Sequence, residues 1–202
     1  MRNKVAILTL FTGFLWAQPS FTGRTISSSA DYAWSVYAAD IDNDGDLDVL
    51  SASYSDDKIA WYENDGAADP SFTANTIATS SFIGSPSSVY AADIDNDGDM
   101  DVLSASVDDK IAWYENDGAA DPSFTARTIT TSADYAWNVY AADVDNDGDV
   151  DVLSASIYDD KIAWYENDGA ADPSFTARTI TCLLYTSPSP RDVEESRMPS
   201  SA

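Results

Sequence analysis

The chain has 202 residues and a formal charge of −25, from 35 acidic against 10 basic side chains, with no histidine and a single cysteine, Cys182. Nucleic-acid binding is disfavoured, because neutralising phosphates takes clustered Lys and Arg; a cation is the natural partner for such a chain. Six Trp, eleven Tyr and seven Phe are too many aromatics for a disordered acidic tail, so the acid is carried by something that also builds a core.

At the start, Arg2 and Lys4 precede an apolar run, Val5 to Ala17, followed by Gln18-Pro19. The run is too short to cross a bilayer, which takes about 20 residues, and small Ala17 sits where a signal peptidase cuts. Residues 1–17 are therefore expected to be an export signal, which places the mature protein in the secreted or cell-surface space. Export permits disulfides, but no cysteine precedes Cys182, so none is expected to hold the chain.

From residue 18 the sequence repeats itself. Asp-Asp-Lys-Ile-Ala-Trp-Tyr-Glu-Asn-Asp-Gly-Ala-Ala-Asp-Pro-Ser-Phe-Thr-Ala occurs at 56–74, 108–126 and 159–177, and Pro19, Pro70, Pro122 and Pro173 mark a period of about 51 or 52 residues, suited to a propeller blade or another array. Each repeat reads as four short strands, in the first copy Val36 to Ile41, Asp48 to Tyr54, Lys58 to Glu63 and Phe72 to Ile77. Turns are expected at Ser55 to Asp57 and, on Asp65-Gly66, at Asn64 to Pro70. Val49, Ser51 and Ser53 alternate with Leu50, Ala52 and Tyr54, and Ile59 and Trp61 with Ala60 and Tyr62. Neither face is clearly polar, so both are expected to be covered, and the small Ala and Ser residues let neighbouring sheets approach. Four-stranded blades packed face to face around an axis meet that demand. The expected fold is all-β: a β-propeller of four-stranded blades, incomplete at about three, over residues 27–77, 78–129 and 130–180. An extra strand of the fourth type is expected at Ser20 to Ile26. An array this short is expected to be marginally stable by itself.

Between the first two strands of each repeat lies the loop Asp40-Ile41-Asp42-Asn43-Asp44-Gly45-Asp46-Leu47-Asp48, which recurs at 93–101 and 143–151. Oxygen donors stand at positions 1, 3, 5, 7 and 9 with Gly at 6. Alternate Asp side chains in a tight turn converge on one point, which suits Ca²⁺, a hard cation taking six to eight oxygens in flexible geometry. Gly45, Gly98 and Gly148 permit the bend. An EF-hand shares the Asp-x-Asp-x-Asp-Gly core but needs flanking helices and a Glu at position 12; that position is Ser51, Ser104 or Ser154. The usual zinc ligands His and Cys are missing from the repeats, and Mg²⁺ generally keeps several waters. A merely solvated polar turn is the bland alternative, disfavoured by the mutual repulsion of five carboxylates in nine residues.

The loop and the Asp-Val-Leu-Ser-Ala-Ser strand after it resemble the FG-GAP/VCBS repeat family, seen also in integrin α-chain propellers, over residues 18–181. The resemblance implies a β-propeller with one Ca²⁺ per repeat, three here, in the loop between the first two strands. Carried over by position, Asp40, Asp42, Asp44 and Asp48 supply side-chain oxygens and Asp46 a backbone carbonyl. Asp93, Asp95, Asp97, Asp99 and Asp101 repeat that set, as do Asp143, Asp145, Asp147, Asp149 and Asp151. The Phe-Gly and Gly-Ala-Pro signatures of eukaryotic members are absent from the chain, so integrin-like ligand recognition does not transfer.

For function, the favoured reading is a non-catalytic, extracellular calcium-binding module for adhesion, or for binding an unidentified glycan or protein. Tyr32-Ala33-Trp34 and Tyr135-Ala136-Trp137 put aromatics before the first strand, where the middle repeat has Phe82-Ile83-Gly84-Ser85-Pro86. These rings either stack on sugars or fill gaps between blades. The alternative is a spacer or accessory propeller of a larger secreted enzyme, such as one degrading polysaccharide. Catalysis within the repeats is disfavoured, because every Asp constellation recurs and no unique acid–base pair stands out.

After Thr181 the composition changes. Cys182-Leu183-Leu184-Tyr185-Thr186-Ser187-Pro188-Ser189-Pro190-Arg191-Asp192 matches nothing upstream and resembles the in-frame translation of a transposase-type sequencing-library adapter, with Ser196 to Ala202 reading as its flow-cell end. Residues 182–202 are therefore expected to be a non-native tail and are set aside from fold reasoning.

Overall fold

The structure is a computed structural model, and it describes residues 22–180. The expected export signal, the adapter-like tail and the first two residues of the expected strand Ser20 to Ile26 lie outside that range. Twelve strands follow one another in three sheets. The first blade holds β1 (Ala33–Ala39), β2 (Asp48–Ser53), β3 (Lys58–Asn64) and β4 (Phe72–Ala78). The second holds β5 (Pro86–Ala92), β6 (Asp101–Ser106), β7 (Lys110–Asn116) and β8 (Phe124–Thr130). The third holds β9 (Ala136–Ala142), β10 (Asp151–Ser156), β11 (Lys161–Asn167) and β12 (Phe175–Thr179). Each sheet is antiparallel with its strands in chain order. The architecture is all-β, a partial β-propeller of three four-stranded blades.

Register follows the alternation in the sequence. Leu50 stands opposite Tyr37 on one side and Trp61 on the other, and the second and third blades repeat the match at Leu103 and Leu153. A one-residue slip would exchange the two faces of every strand, and in the middle blade both faces are buried, so a slip is costly there.

Two expectations are corrected. Residues 22–26 form no strand. A fourth-type strand needs a third-type strand to pair with, and β3, β7 and β11 each already hold their own, β4, β8 and β12. The first strand also runs earlier than Val36 to Ile41. It gains Ala33 across a bulge between Ala33 and Ser35, and it ends before Ile41, whose N–H turns to the carboxylate of Asp48.

Blades stack in chain order, with β5 lying against β1 and β2, and β9 against β5 and β6. Two apolar cores fill the junctions. In the first, Ile41, Leu50, Ala52, Ile59 and Trp61 meet Val89, Ala91, Val102, Ala112 and Tyr114; in the second, Ile94, Leu103, Ala105, Ile111 and Trp113 meet Val139, Ala141, Val152, Ala163 and Tyr165. Ser51, Ser104 and Ser154 each hydrogen-bond a tyrosine hydroxyl, Tyr62, Tyr114 and Tyr165, whereas the buried hydroxyls of Ser53 and Ser156 have no partner among the described residues. Tyr37, Tyr90 and Tyr140 form a ladder across the three first strands, with ring centroids 4.4 and 4.7 Å apart. The outer faces differ: Val36 is 70% exposed and Ile162 56%, where their counterparts Val89 and Ile111 are 3% and 0%.

Leu103→Ala is expected to cost about 2–5 kcal/mol through loss of packing and a residual cavity, and Val36→Ala less than about 0.5 kcal/mol. Urea unfolding of both variants checks this; equal losses would contradict the assigned junction.

Candidate metal centre

The three Asp-rich loops lie at one end of the blades, between first and second strands, and fold alike. Asp44 and Gly45 donate their N–H groups to Asp40 at 3.1 and 3.0 Å, and Asp46 donates to Asp44 at 2.9 Å. In the second loop Asp97 and Gly98 donate to Asp93, both at 3.0 Å. In the third, Gly148 donates to Asp143 at 3.2 Å and Asn146 does so at 2.7 Å. Asn43, Asn96 and Asn146 take φ of 57°, 59° and 63°, a left-handed conformation that Asn tolerates. Gly45, Gly98 and Gly148 sit at 97°, 100° and 100°, where a Cβ would be strained.

Asp48, Asp101 and Asp151 are each 1% exposed. Both oxygens of each are engaged. Asp48 accepts from Ile41 N–H at 3.1 Å and Asn64 N–H at 2.8 Å; Asp101 from Ile94 at 3.0 Å and Asn116 at 2.8 Å; Asp151 from Val144 at 3.0 Å and Asn167 at 2.8 Å. The ninth loop residue thus ties the start of its loop to the end of the third strand. Around it the carboxylates converge. Asp40, Asp42 and Asp48 each bring an oxygen within 4.8 Å of the others, as do Asp93, Asp95 and Asp101, and Asp143, Asp145 and Asp151.

The donor set is oxygen alone and the charges are alike, which fits a hard cation. Burial, with Asp95 and Asp97 nearby, pushes the Asp101 carboxyl up to about 7 against the two N–H groups it accepts. Burial and neighbouring aspartates likewise hold Asp42, Asp95 and Asp145 above the ordinary range. The turn aspartates between third and fourth strands behave oppositely. Hydrogen bonds from the Ser71, Ser123 and Ser174 hydroxyls, then from backbone N–H groups, hold Asp65, Asp117 and Asp168 below the usual range. Those acids are satisfied by their own turns.

The expected positions 5 and 7 stand outside the triads. Asp44, Asp97 and Asp147 accept from the N–H of Asp46, Asp99 and Asp149. The side chains of Asp46, Asp99 and Asp149 lie over Gly66, Gly118 and Gly169, where an added Cβ would come 2.0, 2.1 and 2.1 Å from a carboxylate oxygen. Asp99 also accepts from Asn43 of the preceding blade at 2.6 Å, and Asp149 from Asn96 at 3.0 Å. Position 7 therefore turns its carboxylate to the blade junction; its backbone carbonyl is a separate group. The asparagines of the loops and of the third-strand ends, Asn64, Asn116 and Asn167, were missing from the sequence-based site. Their signal was recurrence at fixed places in all three repeats.

The aromatics gather at the opposite end of the blades. Trp34 stacks on Tyr54 at 4.1 Å and leans on Trp137 at 5.0 Å, while Tyr135 lies 6.2 Å from Trp137 and 4.5 Å from Tyr158. The two tryptophans reach each other over the middle blade, whose Ser87 takes the corresponding place and donates to the Ala105 and Ala136 carbonyls. Trp34 thus contacts two other rings while remaining 39% exposed, and Trp137 is 45% exposed.

Successive four-stranded blades, each with an acidic loop between its first two strands, define a β-propeller repeat protein with candidate metal loops. Residues 12–51, 40–104 and 93–154 match the model of the FG-GAP-like repeat, and the chain belongs to that repeat family. No curated protein matches the chain. FG-GAP repeats are generally non-catalytic modules, often bind calcium and occur in extracellular proteins.

Gly118→Ala is expected to cost about 1–3 kcal/mol, because it places a side chain in the left-handed region and displaces the Asp99 carboxylate. Gly23, with nothing within 4 Å of an added Cβ, is expected to accept Ala within about 0.5 kcal/mol. Denaturant melts of both variants decide; a neutral Gly118→Ala would contradict the packing of Asp99 over the turn.

Proposed function

We propose that the protein is a non-catalytic, extracellular calcium-binding propeller module that presents its blades to a protein or glycan partner. The observation that carries the calcium reading is the convergence of three carboxylates, one of them buried, in each of three successive blades. None of the six ion pairs among the described residues involves a loop aspartate, so the charge of the clusters is left for a cation to balance. Asp40, Asp42 and Asp48 would hold the ion in the first blade, Asp93, Asp95 and Asp101 in the second, and Asp143, Asp145 and Asp151 in the third. A bound Ca²⁺ would offset two of the loop's negative charges and fix the first two strands to the third. The absence of histidine and the threefold recurrence of each carboxylate group support a structural rather than catalytic role. An extracellular setting supplies the Ca²⁺ that modules of this kind need, with dissociation constants of roughly 10⁻⁴–10⁻³ M.

At tenfold excess over its dissociation constant, each site would add about 1.4 kcal/mol. The melting temperature is therefore expected to rise between EDTA and millimolar Ca²⁺. Joint substitution Asp42→Asn, Asp95→Asn and Asp145→Asn is expected to abolish the rise without lowering the melting temperature in EDTA, since it relieves repulsion. A melting temperature indifferent to Ca²⁺ would overturn the reading. For the partner face, Trp34→Ala and Trp137→Ala separate two roles: lost stability with glycan binding intact marks packing, and lost glycan binding at unchanged stability marks a ligand platform.

A further inference from the structure

The three clusters are joined across both blade junctions by buried hydrogen bonds, linked through the residues Ile41, Asn116, Ile94 and Asn167 that carry them. In the first blade Ile41 N–H donates to Asp48 at 3.1 Å. The Ile41 carbonyl accepts from the side-chain amide of Asn116, in the second blade, at 2.9 Å. The backbone N–H of Asn116 donates to Asp101 at 2.8 Å, and the other oxygen of Asp101 accepts from Ile94 N–H at 3.0 Å. The Ile94 carbonyl then accepts from the Asn167 amide at 2.9 Å, and Asn167 N–H donates to Asp151 at 2.8 Å. Every member is buried: Ile41 and Ile94 at 0% exposure, Asn116 at 2% and Asn167 at 3%. A second, exposed link runs beside the first, from Asn43 to Asp99 and from Asn96 to Asp149.

Each of the four linking residues is buried and holds a hydrogen bond on both sides, so fixing one of its groups restricts the position of the other. The loops are otherwise separate acidic turns, and cations bound in neighbouring loops would repel. We propose that the three cation sites are positively coupled, with Asn116 and Asn167 as the positioning residues that transmit occupancy from one blade to the next. The proposal rests on the calcium reading above. A cation at the first loop needs Asp40, Asp42 and Asp48 held together. Holding Asp48 fixes the N–H of Ile41 and with it the residue whose carbonyl seats the Asn116 amide, and Asn116 in turn sets the N–H that orients Asp101 in the second cluster. The ordering cost of the second site is then partly met by the first, and by linkage the effect is reciprocal. Asn64 has no such reach among the described residues, since its amide donates to Leu47 of its own blade, so the run begins at the first loop.

The test is a Ca²⁺ titration of the full chain by calorimetry at fixed ionic strength, for the wild type and for Asn116→Ala, which keeps the backbone N–H to Asp101 and removes the amide to Ile41. Asn43→Ala, at an exposed position, cuts the parallel link and guards against a folding defect in the buried variant. The wild type is expected to show a Hill coefficient of about 1.5–2, a neighbouring-site gain of at least about fivefold. Both variants are expected to keep three sites and move the coefficient toward 1. Three sites filling independently or with negative cooperativity in the wild type would overturn the coupling while leaving the calcium reading in place. A cooperative wild type with both variants unchanged would overturn the assignment of the coupling residues. No Ca²⁺ binding by the folded wild type would overturn both.

Discussion

The structure depends on a buried carboxylate that, among the described residues, has no cationic side chain beside it. Asp48, Asp101 and Asp151 are withdrawn from water at the start of the second strand, and each spends its two oxygens on backbone N–H groups from its own loop and from the end of the third strand. Burying a charge is expensive unless it is paired and hydrogen-bonded. The hydrogen bonds are present and the pairing is not. Desolvation raising Asp101 to about 7 expresses that imbalance, and the two further carboxylates drawn to each centre increase it. The loop, the second strand and the third strand are therefore one mechanical unit whose charge calls for a counter-ion.

The rest of the architecture is a consequence of stacking such units. Alternation along the second and third strands gives each blade two apolar faces, one of Leu, Ile and Trp and one of Val, Ala and Tyr, and at each of the two junctions a face meets the opposite kind in its neighbour. Contacts of this sort run mainly between adjacent blades, the usual condition of repeat arrays. Asn116 and Asn167 add polar ties at the same junctions, so that the apolar and polar parts of each interface meet at the loops. At the other end, the Trp34–Trp137 contact spans two junctions, which the small Ser87 of the middle blade leaves room for.

Much of this was legible in the sequence. Period-two alternation with Gly and Asp turns identified the four strands of each blade, and the spacing of the aspartates identified the loops. Two things were not legible. Residues 22–26 have the composition of a fourth strand, but strand formation depends on an available partner, which local sequence does not report. The end of β1 was misplaced because Ile41 continues the apolar pattern while its N–H is taken by a side chain seven residues on. The family resemblance assigned side-chain oxygens to positions 1, 3, 5 and 9 and a backbone carbonyl to position 7. Folding divides them: positions 1, 3 and 9 converge, while the side chain of position 7 is drawn to the Asp-Gly turn of its own blade and to an asparagine of the preceding one. That division depends on contacts between blades, invisible within one repeat, and the neutral asparagines that complete it carry no charge pattern to mark them.

A cation held where the buried aspartate joins loop to sheet would steady the N–H groups that donate to that aspartate. Hydrogen exchange at the amides of Ile41, Ile94 and Val144, and of Asn64, Asn116 and Asn167, in EDTA and in saturating Ca²⁺ tests this most directly, because these are the N–H groups that donate to the three carboxylates. Ca²⁺ is expected to slow exchange at all six, and more strongly than at turn amides such as Ala67, Ala119 and Ala170, which donate to Asp65, Asp117 and Asp168. Exchange at the six that is indifferent to Ca²⁺, or protection confined to the turns, would contradict it.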